Sequence, residues 1–243
     1  FGDSQIEGDR ITGHLRNTWQ KRWGGGGPGY LPAVSQVPSL AAKQTAGEQW
    51  ERKTLFGRRD TAVRHMRYGI LSTIGVWEPL DSLEATDSLS LTTDFHVRPH
   101  PYGYRLNRNW NTIELVLGAT DSTTLVQCAV DSFPTMEAYA KPDTATSTVR
   151  FAVHQPGDVA LVFPETKPEV NAIGLWRDRG LVVHNVPMRG SSGTLFRRTD
   201  RDQYARQLAA HSVGLIMLQF GGNSVPYISD TTSALRYGNW FAS

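Results

Sequence analysis

Thr112-Ile113-Glu114-Leu115-Val116-Leu117 and Thr148-Val149-Arg150-Phe151-Ala152-Val153 decide the fold class. In the first stretch Ile113, Leu115 and Leu117 share one face. In the second Val149, Phe151 and Val153 point one way, and Thr148 and Arg150 the other. A period of two is the mark of a half-buried antiparallel strand. Comparable runs recur at 70–78, 88–97, 104–119, 123–133, 158–164, 172–176, 180–186, 213–220 and 234–241. Turn chemistry such as Pro99-His100-Pro101, Gln155-Pro156-Gly157-Asp158 and Gly221-Gly222-Asn223 separates many of them. The pattern predicts an all-β chain, an eight-stranded antiparallel jelly-roll sandwich with one or two short helices.

The helices are expected at 48–67, where Leu55, Phe56, Ala62, Val63 and Met66 fall at helical spacing, and after Asp200, where Tyr204 and Leu208 share a face. The segment 1–46 reads as an extended arm and 47–243 as the sandwich domain. Four glycines at 24–27 cost too much backbone entropy for the interior of an element, yet Trp19, Trp23 and Tyr30 are not linker residues. An arm of this kind becomes ordered by lying on a neighbour.

At 243 residues, 39% hydrophobic and 20% charged, the chain is long enough to bury a large core without cross-links. Cys128 is the single cysteine, so no internal disulfide exists; flanked by Val126 and Val130 on its own face, it reads as core. No apolar stretch reaches the roughly 20 residues of a membrane-spanning helix. No signal-peptide pattern stands at Phe1. Residues 1–70 hold 11 Lys and Arg against 6 Asp and Glu, which makes the N-terminal part basic and suited to a polyanion.

Motif searches return little chemistry. Residues 24–29 lack the Gly-Lys-Ser/Thr of a phosphate loop, and Gly190-Ser191-Ser192-Gly193 lacks the spacing of a nucleophile elbow. His96 and His100 have no third ligand nearby in sequence, so neither a metal nor another cofactor is expected. His154 and His184 read as hydrogen-bonded structural histidines. Glu165, Asp200 and Asp202 are the acids available for a glycosidase pair. Arg197-Arg198 beside Phe196, and Arg105 and Arg108 beside Trp110, are short basic and aromatic patches of the nucleic-acid type.

Three segments resemble capsid subunits of the picorna-like viruses, the insect and algal members above all. These are Gly47-Glu48 with Leu55-Phe56-Gly57-Arg58-Arg59, Pro101-Tyr102-Gly103-Tyr104-Arg105 leading to 110–115, and 183–188 with 213–220 and Ala234-Leu235-Arg236-Tyr237-Gly238-Asn239-Trp240-Phe241. The resemblance implies a structural, non-enzymatic protein of the virion, assembled in the host cytoplasm. Its partners would be other capsid subunits, genomic RNA bound without sequence preference, and possible host receptors, with no membrane insertion. Trp19, Trp23, Tyr30 and Trp50 are then expected at inter-subunit contacts, and Arg10, Arg16, Lys21 and Arg22 facing RNA. Two other classes fit the same strands. Seven tryptophans suit a lectin-like carbohydrate-binding jelly roll, and a β-sandwich glycosidase or a metal-dependent cupin would need converging acids or histidines.

Overall fold

The computed structural model describes residues 1–58, 60–79 and 93–242. Among them are eleven strands: β1 Gly29–Leu31, β2 Ala42–Ala46, β3 Trp50–Thr54, β4 Thr73–Trp77, β5 Phe95–Pro99, β6 Thr112–Leu117, β7 Thr124–Val130, β8 Met136–Ala140, β9 Ser147–Ala152, β10 Val159–Val162 and β11 Val170–Trp176. The α-helices are α1 Thr12–Trp23, α2 Arg201–Ala209 and α3 Thr231–Ala242. No helix is long and apolar enough to cross a membrane.

All named strands pair antiparallel, in two sheets. One runs β3-β4-β11-β6-β9 with β1 added to β11; the other runs β2-β5-β10-β7-β8. Their inner faces share a core of Trp50, Phe95, Trp110, Ile113, Leu115, Val126, Cys128, Phe151, Leu161, Phe163 and Ile173. The mostly-β, two-sheet sandwich expected from the alternation is present, with eleven strands in place of eight.

The two sheets differ in what covers them. On β7 burial alternates strictly, as for a strand with one face in the core and one toward solvent. On β11 every residue is buried. The outer face of the six-stranded sheet lies under a second apolar layer. There Val116, Ala172 and Trp176 meet Tyr68, Ile70, Leu71, Val186, Met188 and Leu195. A strand covered on both faces reads as a near-continuous apolar run, which Val170–Trp176 does.

Several elements differ from the sequence expectation. Residues 1–46 form no extended arm: they supply a 3₁₀ helix at Ser4–Asp9, helix α1, and strands β1 and β2. The glycine run threads a gap too narrow for side chains. A Cβ on Gly27 would stand 2.2 Å from the Leu175 carbonyl oxygen, and one on Gly26 2.1 Å from that of Asn109. No helix forms at 48–67 among the described residues: 50–54 are β3, in register with β4 from Trp50↔Trp77 to Thr54↔Thr73, a pairing that outweighs the short helical period, and the rest is turn and irregular chain. The strand expected at 234–241 is α3. Asp230 accepts from the Ser233 N–H at 2.7 Å, and Ser233 Oγ accepts from the Asp230 N–H at 3.1 Å, a reciprocal cap that starts a helix. The strand expected at 88–97 lies partly outside the described residues. The Asp200-capped helix forms as expected, with Asp200 accepting from the Gln203 N–H, and Cys128 is fully buried.

Arg16 ties α1 to the rest. Its guanidinium, 0% exposed, meets both Asp9 oxygens at 2.6 and 3.0 Å, donates to the Val183 carbonyl at 2.8 Å and reaches Asn107 Oδ1 at 3.5 Å. Removing one member of such a pair strands a buried charge, so Arg16→Ala is expected to lose about 3–5 kcal/mol of unfolding free energy. The double variant Asp9→Ala/Arg16→Ala should lose less. Urea titrations of the three proteins check this, and equal losses for the single and double variants would refute it.

Candidate active site

Beside the sandwich, three extended segments run parallel. Gly2 bridges Pro187 on one side and Gln219 on the other. The hydrogen bonds are Gly2 N–H to Val186 O at 3.1 Å, Met188 N–H to Gly2 O at 2.8 Å, Gln219 N–H to Phe1 O at 2.9 Å, and Asp3 N–H to Gln219 O at 3.1 Å. The close approach requires a glycine, since a Cβ on Gly2 would lie 2.9 Å from the Gln219 carbonyl oxygen. The outer edge of 213–218 faces solvent, with Leu215 at 66% exposure.

Parallel segments deliver their carboxyl ends to one rim, where ligands of α/β sheets are held. Here that rim carries Asp3-Ser4-Gln5, Gly190-Ser191 and Gly221-Gly222-Asn223. Ser4 is half-buried at the first position of the 3₁₀ helix. Its hydroxyl makes no hydrogen bond among the described residues. The Asp3 carboxylate caps that helix through the Gln5 N–H at 2.9 Å, which fixes the turn carrying Ser4. A Cβ on Gly222 would lie 3.4 Å from Asp3 Oδ2, so the third segment end closes on the first. Asn223 Nδ2 donates to the Ser191 carbonyl at 2.9 Å and joins the third to the second. The result is a serine hydroxyl on a strand-to-helix turn, beside exposed Gly222 backbone and a fixed carboxamide. A half-buried serine hydroxyl without a hydrogen-bond partner among the described residues, on a turn whose neighbouring segment ends carry backbone and carboxamide donors, is a candidate nucleophile.

A polar knot joins this layer to the sandwich. Glu114 of β6, 1% exposed, accepts from the Tyr30 hydroxyl and from Arg150, with His211 Nε2 3.3 Å away. Burial raises the Glu114 carboxyl, but hydrogen bonds from His211, Tyr30 and Arg150 outweigh it and leave it below its ordinary value. Burial and then the Glu114 charge push the Tyr30 hydroxyl up, so it stays a donor. His184 stacks on Tyr30 at 4.7 Å and accepts from the Tyr30 N–H at 3.0 Å through Nδ1. A cavity of about 430 Å³ opens beside the knot.

The residues expected at contacts are scattered. Tyr30 and Trp50 are 2% and 4% exposed, inside this chain and not on an inter-subunit surface. Trp50 donates to Asp94 at 2.9 Å and packs on Phe95. Trp19 and Trp23 do lie together on α1, with ring centroids 6.2 Å apart, beside a groove of about 1120 Å³. Arg16 is buried against Asp9 and faces no RNA. Arg10 is exposed and bonds the Glu7 carbonyl; Lys21 is exposed, and Arg22 lies over the Trp23 ring. His96 stands 3.9 Å from Asp158, and no metal-holding cluster occurs among the described residues. Ser4 and Asn223 were missed. The available signals were Gly2-Asp3-Ser4 directly after an apolar start, and Gly-Gly-Asn directly after the apolar run 213–220, which read only as a turn.

No family model matches the chain, and no curated protein matches it. Among solved structures, a peptidoglycan O-acetylesterase superposes over 99% of this chain and 61% of its own length, with a TM-score of 0.63 and 16% identity. The chain thus spans less than two thirds of that protein. An exo-β-1,3-galactanase from Phanerochaete chrysosporium matches 55% of this chain and 29% of its own, with a TM-score of 0.28 and 9% identity, too distant to carry weight. The expectations of a capsid subunit and of a protein without catalysis are corrected here. The solved structure that shares this fold is an esterase by its description and not a capsid protein.

Burial, then the charges of His211 and Arg16, bring the His184 imidazole down to about 3 from 6.5, against the pull of Glu114. The unfolded chain therefore takes up a proton below about pH 6.5 that the folded chain refuses. The stabilisation is whole above pH 6.5 and is lost as the pH falls toward 3. At pH 5 this group alone is expected to cost about 2 kcal/mol relative to pH 7. His184→Asn should remove most of that difference in denaturant titrations at the two pH values. An unchanged difference would refute the assignment.

Proposed function

We propose that this chain is a carbohydrate-active serine esterase that removes O-acetyl groups from a polysaccharide, with Ser4 as nucleophile. The observation that carries the reading is the position of Ser4 on the turn leaving the central one of three parallel segments. The likeness in fold to a peptidoglycan O-acetylesterase supports it and suggests the substrate class. Ser4 Oγ attacks the ester carbonyl carbon and gives up its proton, and the sugar oxygen takes up a proton as its bond to the carbonyl carbon breaks. The sugar hydroxyl leaves, and water then hydrolyses the acetyl-serine to acetate and free enzyme. The Gly222 and Asn223 groups face the carbonyl oxygen as it gains charge, where one well-placed donor is worth about 10²–10³ in rate. No histidine bonds Ser4 among the described residues. The sandwich presents the polymer.

The test is acetate release from O-acetylated peptidoglycan, alongside turnover of p-nitrophenyl acetate. Ser4→Ala should reduce both by at least about 10³-fold with the fold intact. A fluorophosphonate should label the wild type on Ser4. Unchanged turnover in Ser4→Ala, or labelling at another serine, would refute the assignment. Asn223→Ala should lower kcat by about 10²-fold with a smaller effect on KM.

A further inference from the structure

On the outer face of the five-stranded sheet, Lys43 of β2 and Arg98 of β5 are direct cross-strand partners. Both are exposed, and neither forms an ion pair or a side-chain hydrogen bond among the described residues. Like charges placed directly opposite destabilise a sheet. Their positions make sense where an anion is to be held between them. Beyond β5 the chain turns through His100 to Tyr102, which is 86% exposed, and Tyr104, 39% exposed. The turn is built. The Tyr102 N–H donates to His100 Nδ1 at 3.2 Å and the Gly103 N–H to the His100 carbonyl at 3.0 Å. Gly103 is pressed so close to Leu40 that a Cβ would stand 2.5 Å from the Leu40 carbonyl oxygen. The His100 ring lies two residues beyond Arg98 and packs beside the Tyr102 ring, centroids 6.0 Å apart, so cations and tyrosines follow one another on one stretch of surface.

The patch is also fixed to the segment that carries Ser4. The Leu40 N–H bonds the Gly8 carbonyl at 3.4 Å, in the 3₁₀ helix that starts at Ser4. Tyr104 lies 3.6 Å from where a Cβ of Gly13 would be, and its carbonyl accepts from Asn107, which Arg16 holds. A flat ring offers a pyranose face an apolar surface, while a pair of cations holds a carboxylate. We propose that Lys43, Arg98, Tyr102 and Tyr104 bind an acidic polysaccharide strand, its sugar rings lying on the tyrosines and a carboxylate between the two cations. The proposal rests on the esterase reading for the polymer class and extends that site across the sandwich surface.

Co-sedimentation of the full-length protein with insoluble peptidoglycan sacculi tests it, in low and high salt, with cellulose as an uncharged polymer and a homopolymeric RNA as competitor. The wild type should sediment with sacculi, more in low salt than in high, and more than with cellulose. Tyr102→Ala should weaken retention about tenfold. Lys43→Ala/Arg98→Ala should abolish the salt dependence. Circular dichroism confirms that these surface variants are folded. Retention equal to wild type in both variants, no wild-type retention, equal binding to cellulose, or tighter binding to RNA than to sacculi would each overturn the proposal. Wild-type turnover of p-nitrophenyl acetate is scored separately: its absence with sacculus binding intact would sink the serine chemistry and leave the binding surface standing.

Discussion

The buried guanidinium of Arg16 is the constraint on which the arrangement depends. It contacts the Asp9 turn, the 182–185 segment and the 105–108 turn of the sandwich at once. Asp9 adopts a positive φ of 65° to present its carboxylate, a conformation a non-glycine residue keeps only when its surroundings hold it there. Both oxygens are then used by the planar fork, a match lysine could not make. Through this pair the helix after Ser4 has its direction set, and the layer carrying the serine is locked to the layer carrying the tyrosines.

The second constraint is the covered outer face of the six-stranded sheet. A sheet buried on both sides would ordinarily carry only apolar residues, yet β6 places Glu114 there. The charge is tolerated because Tyr30, Arg150 and His211 surround it and come from β1, β9 and the segment after α2. The same face that buries Val116, Ala172 and Trp176 thus contains a directional anchor. Packing alone would let the second layer slide; the hydrogen bonds give it a register.

The sandwich was legible and the parallel layer was not, and the difference is physical. Alternation is local, so Ile113, Leu115 and Leu117 announce their shared face within six residues. The partners of Gly2 lie at Pro187 and Gln219, and nothing near Gly2 records them. The segments 180–186 and 213–220 are as apolar as the sandwich strands, so by alternation alone they read as strands of the same kind. Tyr30 and Trp50 drew attention as large aromatics, but a large aromatic is as suited to a core as to an interface, and both lie in cores. The helix Thr231–Ala242 was hidden because its cap, Asp230 with Ser233, lies just outside the apolar run that suggested a strand. At the site, Ser4 and Asn223 are ordinary residues in sequence, and proximity across more than 200 positions gives them meaning.

The parallel pairing of Gly2 has a bearing on how the molecule comes together in time. Its neighbours close loops of more than 180 residues, a large entropy loss for a handful of backbone bonds. The sandwich forms through far more numerous contacts, and among the described residues two of its pairings, β3 with β4 and β7 with β8, join strands adjacent in the chain. Once assembled, it brings the ends of that loop together. The turn bearing Ser4 is therefore expected to be completed late, after the sandwich has collapsed. Under the proposed chemistry, a chain whose sandwich is misfolded would lack the assembled serine site and so would turn over no ester.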